Sequence, residues 1–164
     1  MREPDKMADR TWSGAKPRGE SHMATPALTR KELVERLDAE FPESRHAFGD
    51  YDIEEIWYGG CRLRLRYDKR LLRPGSTLSG ATMMALADFA LYLAVLSAIG
   101  WVPLAVTTNL TINFLRKPPA GDLIAEAHLL KLGKQLAVGQ VAIRADGSDD
   151  MVAHVTSTYS IPPV

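Results

Sequence analysis

One cysteine in 164 residues, Cys61, leaves no partner for an internal disulfide, so a disulfide scaffold is excluded and a reducing, cytoplasmic setting is expected. Charge of one sign is also lacking. Twenty Lys and Arg balance twenty Asp and Glu, which argues against a nucleic-acid partner, whose binding would need a basic excess. The four histidines, His22, His46, His128 and His154, show no ligand spacing with one another or with Cys61, so no metal is expected. Internal repeats are absent too. The longest apolar run, Ala81 to Ile99, falls short of the roughly 20 residues a bilayer needs and has Asp88 near its middle, so no membrane span is expected. A chain of this length with 46% hydrophobic residues can build one full core, hence one domain.

Residues 1–27 carry no hydrophobic periodicity and are expected to be a disordered or cloning-derived segment, leaving 28–164 as the single domain. No apolar stretch follows the basic residues, so 1–23 do not read as a signal peptide. Thr29 with Glu32 three residues later is a capping box, and Leu28 with Leu33 can form a hydrophobic staple. Leu33, Leu37 and Phe41 continue at helical spacing to Pro42. Cys61, Leu63, Leu65 and Tyr67 alternate with Arg62, Arg64 and Arg66, the pattern of a half-buried strand preceded by a turn or bulge at Gly59-Gly60. Later strands are expected at Val106–Phe114, Leu123–Leu132, Leu136–Ala145 and Met151–Tyr159, with Gly133-Lys134 as a two-residue hairpin turn. A helix apolar on every face is one buried by its own protein. The expected architecture is α+β, an antiparallel sheet wrapped around one long helix at about 79–99.

Asp88 is the sharpest chemical signal. A carboxylate in an apolar helix costs several kcal/mol unless paired or solvated. It reads as a general base or nucleophile lining a cavity, or as a structural Asp capping a nearby loop. The run Pro74 to Thr82 fails as a phosphate loop, because Ala81 stands where the lysine belongs. It fails as a nucleophile elbow, because Thr77 and Ala81 flank Ser79 where glycines are required. What survives is a Gly at a helix start, which offers backbone N–H groups to a developing oxyanion, or simply a Ser79 cap followed by a permissive Gly80. Eight residues of helix separate Gly80 from Asp88, about 12 Å along the axis. One reacting carbonyl cannot touch both, so if both act, they act across a two-fold dimer, Gly80 of one chain facing Asp88 of the other. Arg62, Arg64 and Arg66 read first as a solvated strand face. Arg116-Lys117, Lys131 and Lys134 stand at strand ends and a hairpin, where they face solvent or grip a nucleotide. Thr107 and Asn109 lie together on the polar side of their strand.

Gly75-Ser76-Thr77-Leu78-Ser79-Gly80-Ala81, Leu86-Ala87-Asp88, the strand Ala105 to Phe114 and Lys131-Leu132-Gly133-Lys134 together resemble the hotdog-fold thioesterases of the phenylacetic acid degradation (PaaI-like) type. The likeness spans roughly Tyr51 to Pro162. It implies a hotdog fold and hydrolysis of an acyl-CoA thioester to free acid and coenzyme A, with no cofactor beyond the coenzyme A of the substrate. It further implies Asp88 as base or nucleophile, Gly80 as backbone oxyanion donor from the other subunit, and Thr107 assisting the water. A homodimer, or a dimer of dimers, follows. Substrate contacts are expected at Ser79, Arg73, Asn109, Arg116, Lys131, Gly133 and Lys134. Two departures stand out: Ser79-Gly80-Ala81 replaces the family's usual His-Gly-Gly, and Arg73 occupies the place of an upstream Asn. They motivate a competing expectation, an acyl-CoA- or fatty-acid-binding hotdog protein without turnover. A hotdog dehydratase ranks lower, since no His lies near the Gly80–Asp88 helix.

Overall fold

The computed structural model describes residues 24–163; residues 1–23, the bulk of the expected N-terminal segment, lie outside them. Ala27, assigned from sequence to that segment, donates its N–H to the Ser97 carbonyl at 2.7 Å. Helix α1 spans Arg30–Glu40 and opens on the expected capping box: Thr29 Oγ1 accepts from Glu32 N–H, and Thr29 N–H donates to Glu32 Oε2 at 2.8 Å. Leu33 and Leu37 are its buried stripe. A short helix α2, Ser44–Phe48, follows; five residues are too few to carry a readable period.

Strands β1 (Tyr51–Trp57) and β2 (Gly60–Leu65) form a hairpin, and a small two-stranded piece, β3 (Leu72–Arg73) with β4 (Thr77–Leu78), leads into α3 (Gly80–Ile99). Then come β5 (Val106–Phe114), β6 (Leu123–Leu132), β7 (Leu136–Ala145) and β8 (Met151–Ser160). The main sheet has the order β1-β2-β6-β7-β8-β5 and is antiparallel throughout. It wraps around α3, which is the hotdog arrangement. Strand β1 has no counterpart in the sequence pattern. A bulge between Ile53 and Glu55 breaks its alternation, so YDIEEIW does not read with period two. The β6–β7 loop holds three residues, Gly133 to Gln135, rather than two. Gly133 N–H donates to Leu136 C=O, and Gln135 C=O accepts from Ile161 N–H.

Packing explains the all-apolar helix. Leu86, Ala87, Phe89, Leu91, Leu93 and Leu96 are almost fully buried, each large one contributing about 1.5–3 kcal/mol by leaving water. Leu63, Leu65, Leu123, Val141, Ile143 and Val155 meet them from the sheet. The helix sits close because Gly139 faces it: a Cβ there would stand 2.3 Å from Leu91 Cδ1. Cys61 is fully buried and donates its thiol to the Ala90 carbonyl at 3.1 Å, and burial pushes its ionisation far above the ordinary thiol range.

The arginine row of β2, with Arg66 just beyond its end, is more than a solvated face. Arg62 pairs with Glu54 and Glu126, Arg64 with Glu54, Asp122 and Asp146, and Arg66 with Asp52 and Asp122. Guanidiniums so enclosed by carboxylates are occupied by the sheet's outer face, not held ready for a phosphate.

Candidate active site

The two sequence candidates on α3 open into different cavities. Ser79 caps the helix, its Oγ accepting from Thr82 N–H at 3.1 Å, while Thr77 Oγ1 donates to the Pro118 carbonyl at 2.9 Å and ties the entry down. The first N–H groups of a helix have no intrahelical acceptor, and those of Gly80 and Ala81 stand at this end. Gly80 lines a cavity of about 340 Å³ with Arg73, Met83, Phe114, Arg116 and Lys117. Phe114 lies directly over Gly80, so that an added Cβ would come 3.0 Å from its Cζ.

Asp88 lines a second cavity, of about 400 Å³, walled by Phe41, Phe48, Phe89, Tyr92, Thr107 and Tyr159. Thr107 Oγ1 donates to Asp88 Oδ1 at 2.5 Å. The Tyr159 hydroxyl donates to the same oxygen at 2.8 Å and to the Asp88 backbone carbonyl at 2.9 Å. Burial, followed by the Asp88 charge, drives the Tyr159 phenol far above its usual ionisation, so it remains a donor. Tyr92 is raised in the same direction, mainly by burial, and donates to the Pro103 carbonyl at 3.3 Å.

Thr107 reaches Asp88 only because β5 is irregular. Pairing with β8 runs Thr107↔Tyr159 and then Asn109↔Thr158, leaving Thr108 as an extra residue. The bulge sends Thr107 to the helix side with Leu110, Ile112 and Phe114, while Asn109 stays exposed on the outer side with Thr111 and Asn113. The expectation that Thr107 and Asn109 share a face is thus corrected: unbroken alternation was assumed, and one inserted residue reverses it.

The basic candidates divide between the two ends of the sheet. Arg73, Arg116 and Lys117 are exposed at the Gly80 cavity, Arg116 also reaching Asp150 at 3.6 Å. Lys131 at the end of β6 and Gly133 and Lys134 in the β6–β7 loop are exposed, and this loop lies at the Thr107 end through the row Leu136↔Ser160↔Val106. On α3, Phe89 and Tyr92 line the Asp88 cavity, Met83 lines the other and Met84 is exposed. Sequence reasoning missed Tyr159, which looks like an ordinary core aromatic of a strand, and the α2 residue Phe48, stacked on Phe89 at 4.4 Å between ring centroids. Among the described residues no cluster of His, Cys, Asp and Glu could hold a metal.

Residues 75–152 match the model of the thioesterase superfamily. A Silicibacter protein inferred to be a thioesterase superimposes with a TM-score of 0.76 at 41% identity, covering 87% of this chain and 97% of that one. The Escherichia coli PaaI protein from the phenylacetic acid degradation operon shares the fold at 24% identity, TM-score 0.68, over 83% of this chain and 97% of its own. A hypothetical thioesterase protein of Streptococcus pneumoniae, solved with coenzyme A, does so at 21% identity and TM-score 0.69, over 77% and 96%.

Proposed function

Since the chain belongs to the thioesterase superfamily, we propose that it hydrolyses an acyl-CoA thioester in sites shared between two copies of itself. The observation that carries this reading is Asp88: a carboxylate open to an aromatic-walled cavity and held by two hydroxyls on the buried helix of a hotdog fold. The acyl group enters that cavity. Asp88 either takes a proton from the attacking water or adds to the carbonyl carbon itself. In both cases the new C–O bond puts negative charge on the thioester oxygen, which a backbone N–H at Gly80 of the second copy receives. The C–S bond then breaks and coenzyme A leaves as the thiol, carrying the proton that Asp88 took from the water; where Asp88 itself adds, the thiol's proton comes from solvent and a water then hydrolyses the acyl–Asp88 anhydride, releasing the acid and restoring the carboxylate.

Strand β5 supports the sharing. It is an edge of the sheet, with Val106 and Phe114 each more than half exposed. Its two ends belong to the two cavities, Thr107 to that of Asp88 and Phe114 to that of Gly80. Two β5 edges paired antiparallel about a two-fold axis bring the Phe114 end of one copy to the Thr107 end of the other, and Gly80 with it. The same operation gathers Arg73 and Arg116 from one copy and Lys131, Gly133 and Lys134 from the other, basic groups suited to the phosphates of coenzyme A. The coenzyme A held by the Streptococcus pneumoniae neighbour is consistent with this choice of substrate.

Release of free coenzyme A from aryl, short-chain and long-chain acyl-CoAs tests the reading. Turnover on at least one class is expected. Binding without release on every class would leave an acyl-CoA-binding protein, the reading that the Ser79 and Arg73 departures favour.

The acyl preference should depend on Phe48. Its ring closes one wall of the cavity against Phe89 and Phe41. Phe48→Ala is expected to raise kcat/KM for longer acyl groups relative to shorter ones by about 10-fold, each added methylene finding room that the ring had filled. Phe48→Leu, which keeps more of the wall, should lie between the two. The ratio of kcat/KM values across the acyl panel is the measurement.

A further inference from the structure

We propose that Tyr159 is a positioning residue for Asp88: with Thr107 it fills one carboxylate oxygen, Oδ1, and so leaves Oδ2 as the single oxygen that works in the cavity. The inference rests on the thioesterase reading for its chemistry and on four observations for its geometry. First, the donors come from different strands, Thr107 on β5 and Tyr159 on β8, which are directly paired in the sheet. Both converge on Oδ1, at 2.5 and 2.8 Å. A carboxylate oxygen has two lone-pair sites, so Oδ1 is saturated. Second, among the described residues no hydrogen bond reaches Oδ2, yet no buried side-chain oxygen among them lacks a partner. Oδ2 is therefore accessible, and the surface it shares is that of the cavity Asp88 lines.

Third, the Tyr159 phenol is held in place by its ring and by a second acceptor. Its one proton is shared between Oδ1 and the Asp88 backbone carbonyl, and the residue is 2% exposed, with its ring centroid 6.3 Å from that of Tyr92. The hydroxyl thus stays against Asp88 whichever of the two oxygens it favours. Fourth, no cation stands among the described residues that line the cavity. The polar groups facing Asp88 there are Thr107 from β5, Tyr159 from β8, Tyr92 from α3 itself and the Glu40 carboxylate at the rim from α1. Glu40 is of like charge and is turned to Arg36 and Trp101, at 2.8 Å from each. In this aromatic-walled cavity the two hydroxyl donors are what stops the carboxylate from rotating. A free carboxylate would present either oxygen in several orientations; this one presents a single oxygen in one.

Tyr159→Phe removes the donor and keeps the ring. The expected result is a fall in kcat of about 10- to 100-fold with KM within about twofold of wild type. Thr107→Val should act in the same direction, and the double variant should fall short of the product of the two, as expected for donors sharing one acceptor. A readout independent of turnover is the carboxyl carbon NMR signal of Asp88, identified by its loss in Asp88→Asn. Its chemical shift should move in Tyr159→Phe, because one of the two donors on Oδ1 is gone. A Tyr159→Phe protein with unchanged carboxyl signal and kcat would overturn the proposal and reduce Tyr159 to a core residue. Absence of coenzyme A release by the wild type overturns instead the thioesterase reading, and an unchanged carboxyl signal overturns the clamp whether or not the wild type turns over.

Discussion

Asp88→Asn should lower coenzyme A release by about 10³-fold while leaving the protein folded and substrate binding intact. The amide has nearly the shape of the carboxylate. Its oxygen can still accept from Thr107 and Tyr159 at the Oδ1 position, so the contacts that fix the side chain survive. What changes is the other atom. Where Oδ2 opened to the cavity there is now an NH₂ group, a donor that can neither take a proton from water nor attack a carbonyl. Stability should hold or rise slightly, since a charge has been removed from an aromatic-walled cavity. Steady-state release, calorimetric binding of acyl-CoA and a melting curve on the same preparation separate these effects. Weakened binding together with lost turnover would instead mean that Asp88 contacts the ligand in the ground state.

The second large effect concerns two damaged proteins that repair each other. Gly80→Ala puts a methyl group 3.0 Å from Phe114 Cζ, displacing the ring or the helix start and with it the oxyanion donor. Alone, it should lose about 10²-fold in kcat. When Asp88→Asn and Gly80→Ala chains are co-expressed and allowed to assort, half of the dimers are mixed. If each site takes Asp88 from one copy and Gly80 from the other, a mixed dimer contains one site damaged twice and one intact. Activity should then return to about a quarter of wild type. If both residues of a site came from the same chain, every site would carry one defect and nothing would return. The assay of the unsorted mixture discriminates the two cases, and the mixed species isolated through two different affinity tags should show about half of wild-type activity.

The sequence made much of this legible because its main signals are local. The Thr29–Glu32 box, the apolar run on α3 and the acid within it are visible in windows of a few residues, and each stands where expected. Asp88 and Gly80 could even be assigned to separate places from helical rise alone, and they line separate cavities. The rest depends on long-range contacts or on broken periods. Tyr159 meets Asp88 across 71 residues of chain, and nothing in its own surroundings sets it apart from a buried strand aromatic. The aromatic wall joins Phe41, which helical spacing placed in line with Leu33 and Leu37 but not at a cavity, to Phe48 on a five-residue helix with no readable face. Strand β1 and the side of Thr107 were hidden by bulges, each of which reverses the alternation on which a strand is recognised.

The bulge at Thr108 has a consequence for how this strand can vary. Its two segments are out of phase with each other, joined at a single extra residue. From Leu110 onward the phase is dictated by the body of the protein, where Ile112 opposes Val155 and cannot turn outward without opening the core. Before the bulge, Val106 and Thr107 line the Asp88 cavity. Substitutions in the first segment can therefore retune the chemistry at little risk to folding, whereas those in the second act on folding first. Loss of one residue at Thr108 would collapse that separation and lock both segments to one phase.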